Sequence, residues 1–356
     1  MSYRRGENVK IYFVFLVALL MLLFPTGIAY AQEQSDMEKV LEKVKNLEDQ
    51  VGNLKQAAEA RRKLTITSEE EAQKEEEVLS AVDREEYTLS KEKTLGVQYS
   101  IEYSYSSADT LVTDANDLIG THQYNHSMEH TISLYYGLLN NLTLRTGIPF
   151  VYRYYDKGGP ESKDVTDIGD FTFGVSLRPF KQSKHIPNIT LSSTLTLPTG
   201  RSPYKIDPAV ELSTGSGFYS VSTGMSMSKT IDPIVSYGSV SYTHSLKRTG
   251  LHQNIESLVL TGVDPGDSIG FSLGMAYAMS YRVSINLGFS YSYGFSSTYH
   301  YDTFTREAPI GTSSTFSLGT GWKLSPTRTI SVALGIGLTG SDNFSLSVGI
   351  PFDFNL

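Results

Sequence analysis

The sequence contains no cysteine among its 356 residues. This absence excludes disulfides, thiolate metal sites, thiol catalysis and the lipid-modified cysteine that anchors a lipoprotein. Tryptophan occurs once. Outside residues 11–24 the chain has no long apolar run, and even that run is shorter than the ~20 residues of a membrane-spanning helix. The hydrophobic share of 40% and the mean hydropathy of −0.19 are ordinary, as expected where lipid-facing and water-facing residues alternate.

Negative charge is concentrated in one part of the chain. The net charge is −8, and residues 33–92 contain 17 acidic and 10 basic side chains, which accounts for −7. No basic patch suited to nucleic acid is present, so we expect no nucleic-acid partner.

The N-terminus has the pattern of a secretory signal peptide. Three basic residues precede the apolar run, and Ala29-Tyr30-Ala31 is an A-x-A cleavage site. The sequence predicts a signal peptide over residues 1–31 and a mature chain that begins at Gln32. A retained membrane anchor is the alternative, and the short run with Pro25 behind it argues against one.

Residues 32–92 are predicted to form a periplasmic helical arm. Met37, Val40, Val44, Leu47, Val51 and Leu54 recur at spacings of three and four, as in a coiled coil. This seam predicts a homo-oligomer. The alternative is a single amphipathic helix that lies on the base of the β-barrel predicted for the rest of the chain. Ser68 and Glu71 form a capping box that opens a second, acidic helix.

From residue 93 to 356 the apolar residues recur at every second position, which predicts an all-β transmembrane antiparallel barrel of about twelve strands. The strands are long, and aromatic residues gather at their ends, which favours a lipid-facing barrel over a soluble sandwich. The predicted strands are 95–106, 127–139, 142–155, 169–180, 188–197, 217–229, 233–246, 267–279, 282–295, 313–324, 328–338 and 342–355.

Short and long connections alternate between these strands. Long polar loops are predicted at 107–126, 156–168, 198–216, 247–266 and 296–312. Short periplasmic turns and long external loops are the plan of bacterial outer-membrane barrels. The even strand number then places both termini in the periplasm and the barrel in the outer-membrane lipid. The chain ends on alternating apolar residues up to Leu356, a pattern that we expect the barrel assembly machinery to recognise.

Three motifs resemble those of the outer-membrane transporter family linked to the meta-cleavage pathway of phenol degradation. They are DIGDF at 167–171, LPTGRS at 197–202 and GSGFYSVSTG at 215–224. The resemblance covers roughly residues 140–355 and excludes the arm. It implies a barrel that passes small, often apolar, molecules, and it implies no catalytic residues.

The family motifs also have positional meanings at the barrel rim. Proline has no backbone N–H to donate to the hydrogen-bond ladder of a sheet, and glycine permits tight turns. Rim architecture is one interpretation, and a gating hydrogen-bond cluster of Asp167, Asp170, Thr199 and Arg201 is the other. The predicted rim residues are Asp167, Gly169, Asp170, Pro198, Thr199, Gly200 and Arg201.

We predict no enzyme, no cofactor and no metal site. The G-x-G-x-x-G match at 335–340 lies within a strand and has no following helix, so it is not a nucleotide site. His122, His126 and His130 recur every fourth residue, which on a strand separates neighbours by roughly 13 Å, too far to chelate one ion.

Strand parity assigns a set of charged residues to the lumen. They are Glu102, Glu129, Arg145, Arg153, Arg178 and Lys323, among many Ser, Thr and Gly residues. Both signs occur, so we expect weak ion selectivity and a narrow or plugged passage. The sequence therefore predicts a porin-like channel or transporter for small, apolar or aromatic solutes. The alternative is a structural or tethering protein that acts through its coiled coil.

Overall fold

A computed structural model describes residues 89–355 except 115–116, 157–161, 181–185, 232–233, 256–257, 281, 326–327 and 341. The predicted signal peptide and nearly all of the predicted arm lie outside the described residues. Within the described part of the chain, no helix is long and apolar enough to cross a membrane.

Antiparallel strands make up the described chain. Their bounds are β1 Thr94–Asp114, β2 Asp117–Leu139, β3 Leu142–Asp156, β4 Ser162–Ile168, β5 Phe171–Leu177, β6 Asn188–Leu197, β7 Ser220–Ile231, β8 Ile234–Ser245, β9 Arg248–Ile255, β10 Leu258–Asp264, β11 Ser268–Ala278, β12 Val283–Gly294, β13 Thr298–Tyr301, β14 Thr305–Glu307, β15 Gly311–Ser325, β16 Arg328–Thr339 and β17 Phe344–Asn355.

The principal sheet closes on itself. Its order runs β1, β2, β3, β5, β6, β7, β8, β11, β12, β15, β16 and β17, and β17 pairs with β1 from Thr94↔Asn355 to Tyr105↔Phe344. β4 extends β5 along β3, because β3 pairs with β5 over its first part and with β4 over its second. The predicted twelve-stranded antiparallel barrel is thereby confirmed.

Apolar side chains cover the outer face of this barrel. Phe150, Phe271, Leu273 and Leu318 are exposed, while the residues between them point inwards. Trp322 is 60% exposed at the end of the barrel that carries the short turns, which we call the short-turn end. A wide apolar outer face without a protein partner fits lipid and matches the predicted alternation.

The prediction of irregular loops was wrong for two segments, because the strands there continue beyond the apolar band. Residues 107–126 belong mostly to β1 and β2, whose pairing continues to Asp114↔Asp117. Residues 156–168 contain β4. Main-chain hydrogen bonds sustain a hairpin wherever both partners stay extended, so polar side chains do not end a strand.

Two further predicted loops build a second sheet. Residues 247–266 and 296–312 contain β9, β10, β13 and β14, which pair in the order β14-β13-β10-β9. Leu251, Leu260 and Val263 form its buried core. The prediction of irregular polar loops was wrong here, because short extended segments of the two loops pair with each other, although they are far apart in sequence.

Candidate functional site

The inner face of the barrel has two unlike walls. On β1 to β4, the bulky wall, many inner positions hold large or charged residues with Ser and Gly between them, the large ones including Glu129, Tyr135, Arg145, Arg153 and Lys163. On β7, β8, β11, β12, β15 and β16, the small-residue wall, they are mostly Ser, Gly, Thr and Ala. In the half of this wall away from the short-turn end, the inner residue Ser290 is exposed and most other inner residues are half-buried.

Larger residues of the inner face lie flat over neighbouring glycines. A Cβ on Gly274 would meet the Tyr237 ring at 2.3 Å, and one on Gly319 would meet the Asn286 amide at 2.5 Å. Arg145 crosses Gly174 in the same way and donates to Thr194 Oγ1 at 2.8 Å. Glycine on one strand thus holds the side chain of the next strand against the wall and leaves the centre free.

The predicted lumen residues occupy different parts of the inner face. Glu102 and Glu129 are direct cross-strand partners, and Thr131 donates to Glu129. Lys323 is buried opposite Thr329, and the backbone N–H of Arg178 donates to the Asn141 carbonyl at the short-turn end. The two carboxylates are therefore brought together, whereas the predicted basic residues are dispersed.

Asp170 lies at the centre of the three family motifs. Its carboxylate accepts from the Gly200 N–H at 3.0 Å and from both the N–H and the hydroxyl of Ser216 at 2.6 Å. A Cβ on Gly215 would lie 2.2 Å from this carboxylate, so residue 215 must be glycine for the contact to form. One carboxylate thereby joins motifs that are about thirty to forty-six residues apart.

Hydroxyl groups extend the cluster on both sides of Asp170. Thr199 Oγ1 donates to the Gly169 carbonyl and accepts from the Phe171 N–H, both at 2.9 Å. Thr214 Oγ1 donates to the Ile168 carbonyl at 2.7 Å. These bonds serve backbone groups at the break between β4 and β5, where the pairing of β3 passes from one strand to the other.

Two residues of the predicted gating cluster lie beside it. Asp167 is exposed and accepts from the next backbone N–H, of Ile168. The Arg201 guanidinium pairs with Glu211, while its backbone N–H donates to Thr214 Oγ1. The cluster is built instead around Asp170 and Thr199 with Thr214 and Ser216, of which Ser216 lies in the third motif.

Residues 198–219, which we call the motif loop, fold against the inner face of β3 and β4. Arg153 donates to the Ser213 carbonyl and Lys163 to the Pro208 carbonyl, each at 2.8 Å. Between them the inner-facing Val151 and Val165 are 2% and 6% exposed. The loop therefore narrows the barrel from the bulky wall.

The second sheet holds the motif loop from the other side. Gln253 Nε2 donates to the carbonyls of Pro203 and Ile206, both at 2.7 Å. Tyr204 packs against the Leu251–Leu260–Val263 core. Burial of this phenol raises the pKa of Tyr204 to about 12. Sequence reasoning missed Lys163 and Gln253, because their partners are carbonyls of a loop with no regular pattern.

The three histidines of β2 lie on the outer face. Tyr99 and His130 Nδ1 are hydrogen-bonded at 2.7 Å, and Tyr103 and His126 Nδ1 at 2.8 Å. His122 contacts the ring of Tyr124. Each histidine is thus part of an aromatic surface, as befits the interface of a membrane.

The family model described as "Putative MetA-pathway of phenol degradation" matches residues 103–350. The chain belongs to this family. Its fold is that of an outer-membrane β-barrel.

The chain is similar to several solved structures at low sequence identity. An outer membrane channel from Pseudomonas putida F1 is 16% identical with a TM-score of 0.58, over 76% of this chain and 99% of that chain. The transport unit of the autotransporter AIDA-I from Escherichia coli is 8% identical with a TM-score of 0.46, over 80% and 98%. A Pseudomonas aeruginosa FadL homologue is 12% identical with a TM-score of 0.38, over 73% and 89%.

Proposed function

We propose that this protein is an outer-membrane channel for small, largely uncharged solutes, including apolar and aromatic ones. The observation that carries the proposal is the small-residue wall, which lines one side of a closed barrel. A barrel that served only as an anchor would gain stability from large side chains packed across its interior. Six neighbouring strands of Ser, Gly, Thr and Ala instead leave a passage along one side.

The size of the solute follows from the barrel and from the motif loop. Twelve strands lie between eight-stranded barrels, which side chains fill, and sixteen-stranded porins with a wide aqueous channel. The motif loop then occupies space beside the bulky wall. The remaining passage suits molecules of about the size of one aromatic ring and excludes folded polypeptides.

The chemistry of the passage favours neutral solutes. Hydroxyl groups of the small-residue wall offer hydrogen bonds without charge, and phenolic or other weakly polar molecules use such bonds readily. Most charged residues lie on the bulky wall, where Arg153 and Lys163 are engaged by loop carbonyls. The charged residue Lys323 of the small-residue wall is buried towards the short-turn end, so further from that end a charged solute would lose hydration with little compensation.

The family and one solved structure support this function. The family description names a pathway of phenol degradation, and the Pseudomonas putida relative in fold is described as an outer membrane channel. Both descriptions belong to those proteins. The family description agrees with the class of solute that the neutral wall favours, and the description of the solved structure agrees with a channel.

We further propose that the short-turn end faces the periplasm. β1 begins and β17 ends at this end, beside the turn at 140–141. Long strand extensions and the second sheet lie at the opposite end, as external loops do in bacterial barrels. Both termini would then be periplasmic, as would the predicted arm. Self-association of the arm stays a prediction, as does recognition of the barrel by the assembly machinery.

Reconstitution tests the channel function directly. Purified protein in a planar bilayer should give a small, weakly ion-selective conductance, and proteoliposomes should take up phenol-sized solutes faster than protein-free vesicles. A deletion strain should take up such solutes slowly at low external concentration. The tethering alternative would be favoured by two results together. The protein would give neither conductance nor flux, and removal of residues 32–88 alone would reproduce the phenotype of the deletion strain.

A further inference from the structure

Residues 89–93 precede β1 and bind to the ends of β2 and β3. The Ser90 N–H donates to Thr143 Oγ1 at 2.9 Å, and the Lys93 N–H donates to the Gly137 carbonyl at 2.8 Å. Asn140 Nδ2 donates to a Glu92 carboxylate oxygen at 3.3 Å. We call residues 89–93 the strap.

The strap lies on the inner side of the barrel wall. Gly137 and Thr143 are cross-strand partners two residues from the inner-facing pair Tyr135↔Arg145. A Cβ on Gly137 would lie 1.9 Å from the Lys91 carbonyl oxygen and 2.8 Å from that of Ser90. The strap backbone therefore occupies the space into which an inner-facing side chain at 137 would project.

A sharp turn produces this placement. Lys93 has φ 58°, the left-handed conformation, and is the sole non-glycine residue of the described chain with positive φ. The Thr94 N–H closes the turn on the Lys91 carbonyl at 3.1 Å. In a regular extended backbone the chain before Thr94 would continue in line with β1 and leave the barrel. The turn instead directs residues 89–93 inwards, against Gly137 and Thr143 at the short-turn end.

Burial agrees with a mouth that is covered. Thr143 is 4% exposed, and Ser133, Ser176, Ser226 and Ser284 are also buried inner-facing residues towards this end. Most inner-facing residues are thus buried towards the short-turn end, whereas Ser290 and Glu102, which face inwards further from it, are exposed.

We propose that the strap is a closure at the short-turn mouth, whose docking against Gly137 and Thr143 restricts the passage and whose release widens it. This inference rests on the proposed channel function. The strap is held by a few hydrogen bonds and a strained turn, without a buried apolar anchor, so a modest pull on the chain N-terminal to it would free it. The strap thereby couples the passage to whatever binds the preceding segment.

Engineered cysteines test the docking, because the natural chain contains none. The contact of Ser90 with Thr143 brings their Cα atoms within the roughly 7 Å that a disulfide requires. The double variant Ser90→Cys/Thr143→Cys should form an intramolecular disulfide in outer membranes under mild oxidation, detected by mass spectrometry. The Ser90→Cys and Thr143→Cys single variants are the controls. Failure to cross-link in correctly assembled barrels would overturn the placement of the strap.

Conductance tests the closure. The oxidised double variant should conduct severalfold less than its reduced form, in which the strap is free to leave. Gly137→Val should displace the strap by steric overlap and raise conductance severalfold above the natural protein. Gly311→Val is the matched control, because a Cβ there has nothing within 4 Å.

The outcomes separate this inference from the channel function. Equal conductance in oxidised, reduced and Gly137→Val proteins would overturn the closure while leaving a working channel. Absence of conductance and flux in every form, Gly137→Val included, would remove the proposed channel function and the closure with it. A disulfide that formed and lowered conductance reversibly would support both.

Discussion

The bulky wall and the small-residue wall share one backbone architecture and one kind of outer face, and they differ only in what they place inside the barrel. Both walls are continuous antiparallel sheet with apolar side chains outside. Large and charged residues of β3 and β4 bind the motif loop, whereas the inner positions of β7, β8, β11, β12, β15 and β16 hold mostly Ser, Gly, Thr and Ala. Side-chain size at inner positions, rather than the sheet itself, thus decides where the loop packs and where a passage remains.

A bulky residue on the small-residue wall should have the largest effect on transport. Ser290→Trp places an indole at an exposed inner position of β12, and conductance and solute flux should fall severalfold because the ring fills the open side. Ser104→Trp, on the inner face of β1, is the matched control. A greater loss for Ser104→Trp would place the passage along the bulky wall and contradict the comparison.

Releasing the motif loop should have the next largest effect. Asp170→Asn weakens charge-assisted bonds to Gly200 and Ser216, at a cost of about 2 kcal/mol of loop docking. The loop should be cleaved faster by trypsin at Lys205 on intact cells or proteoliposomes, and the conductance should become larger and noisier. The barrel should keep its heat-modifiable migration on gels.

Asp167→Asn is the control for this prediction. Asp167 is exposed and accepts from its neighbour's N–H, so its loss should change neither loop cleavage nor conductance. If Asp170→Asn behaved like Asp167→Asn, the motif residues would serve rim architecture without positioning the loop.

Charge changes on the bulky wall should have the smallest effect. Glu129→Gln removes one of the two adjoining carboxylates that favour cations, so the reversal potential in a salt gradient should shift modestly towards anions. Thr131→Val, which removes the hydroxyl bonded to Glu129, should shift it less. A large shift from Glu129→Gln would mean that ions pass close to the bulky wall.

Much of the barrel could be predicted because its physics is local. The alternation of Val283, Ile285 and Leu287 with Ser284, Asn286 and Gly288 predicts a strand with one lipid-facing side, whatever its neighbours are. The same parity assigned Glu102 and Glu129 to one face, and the structure shows that they are cross-strand partners. Most predicted strand ends were close at the short-turn end, where brief turns interrupt the apolar alternation sharply, but β1 and β2 extend well beyond their predicted ends at the other.

The motif loop and the second sheet could not be predicted in the same way. Lys163 was missed as an inner residue because β4 was taken as part of a polar loop. Tyr204 lies in a segment about fifty residues before the one that contains Gln253 and Leu260, and the two segments show no shared sequence pattern. Asp170 could be singled out from its motif, but its partner Ser216 emerges only when the loop folds back.

The barrel, its number of strands and the two chemistries of its faces follow from the sequence alone, because a period of two and main-chain pairing between neighbours suffice for these. Where the inside is filled depends instead on tertiary contacts. The contacts of Asp170 with Ser216, of Gln253 with the motif loop and of the strap with Gly137 join residues far apart in sequence. The energies of these contacts depend on distances between side chains and backbone that are set only after the barrel has closed.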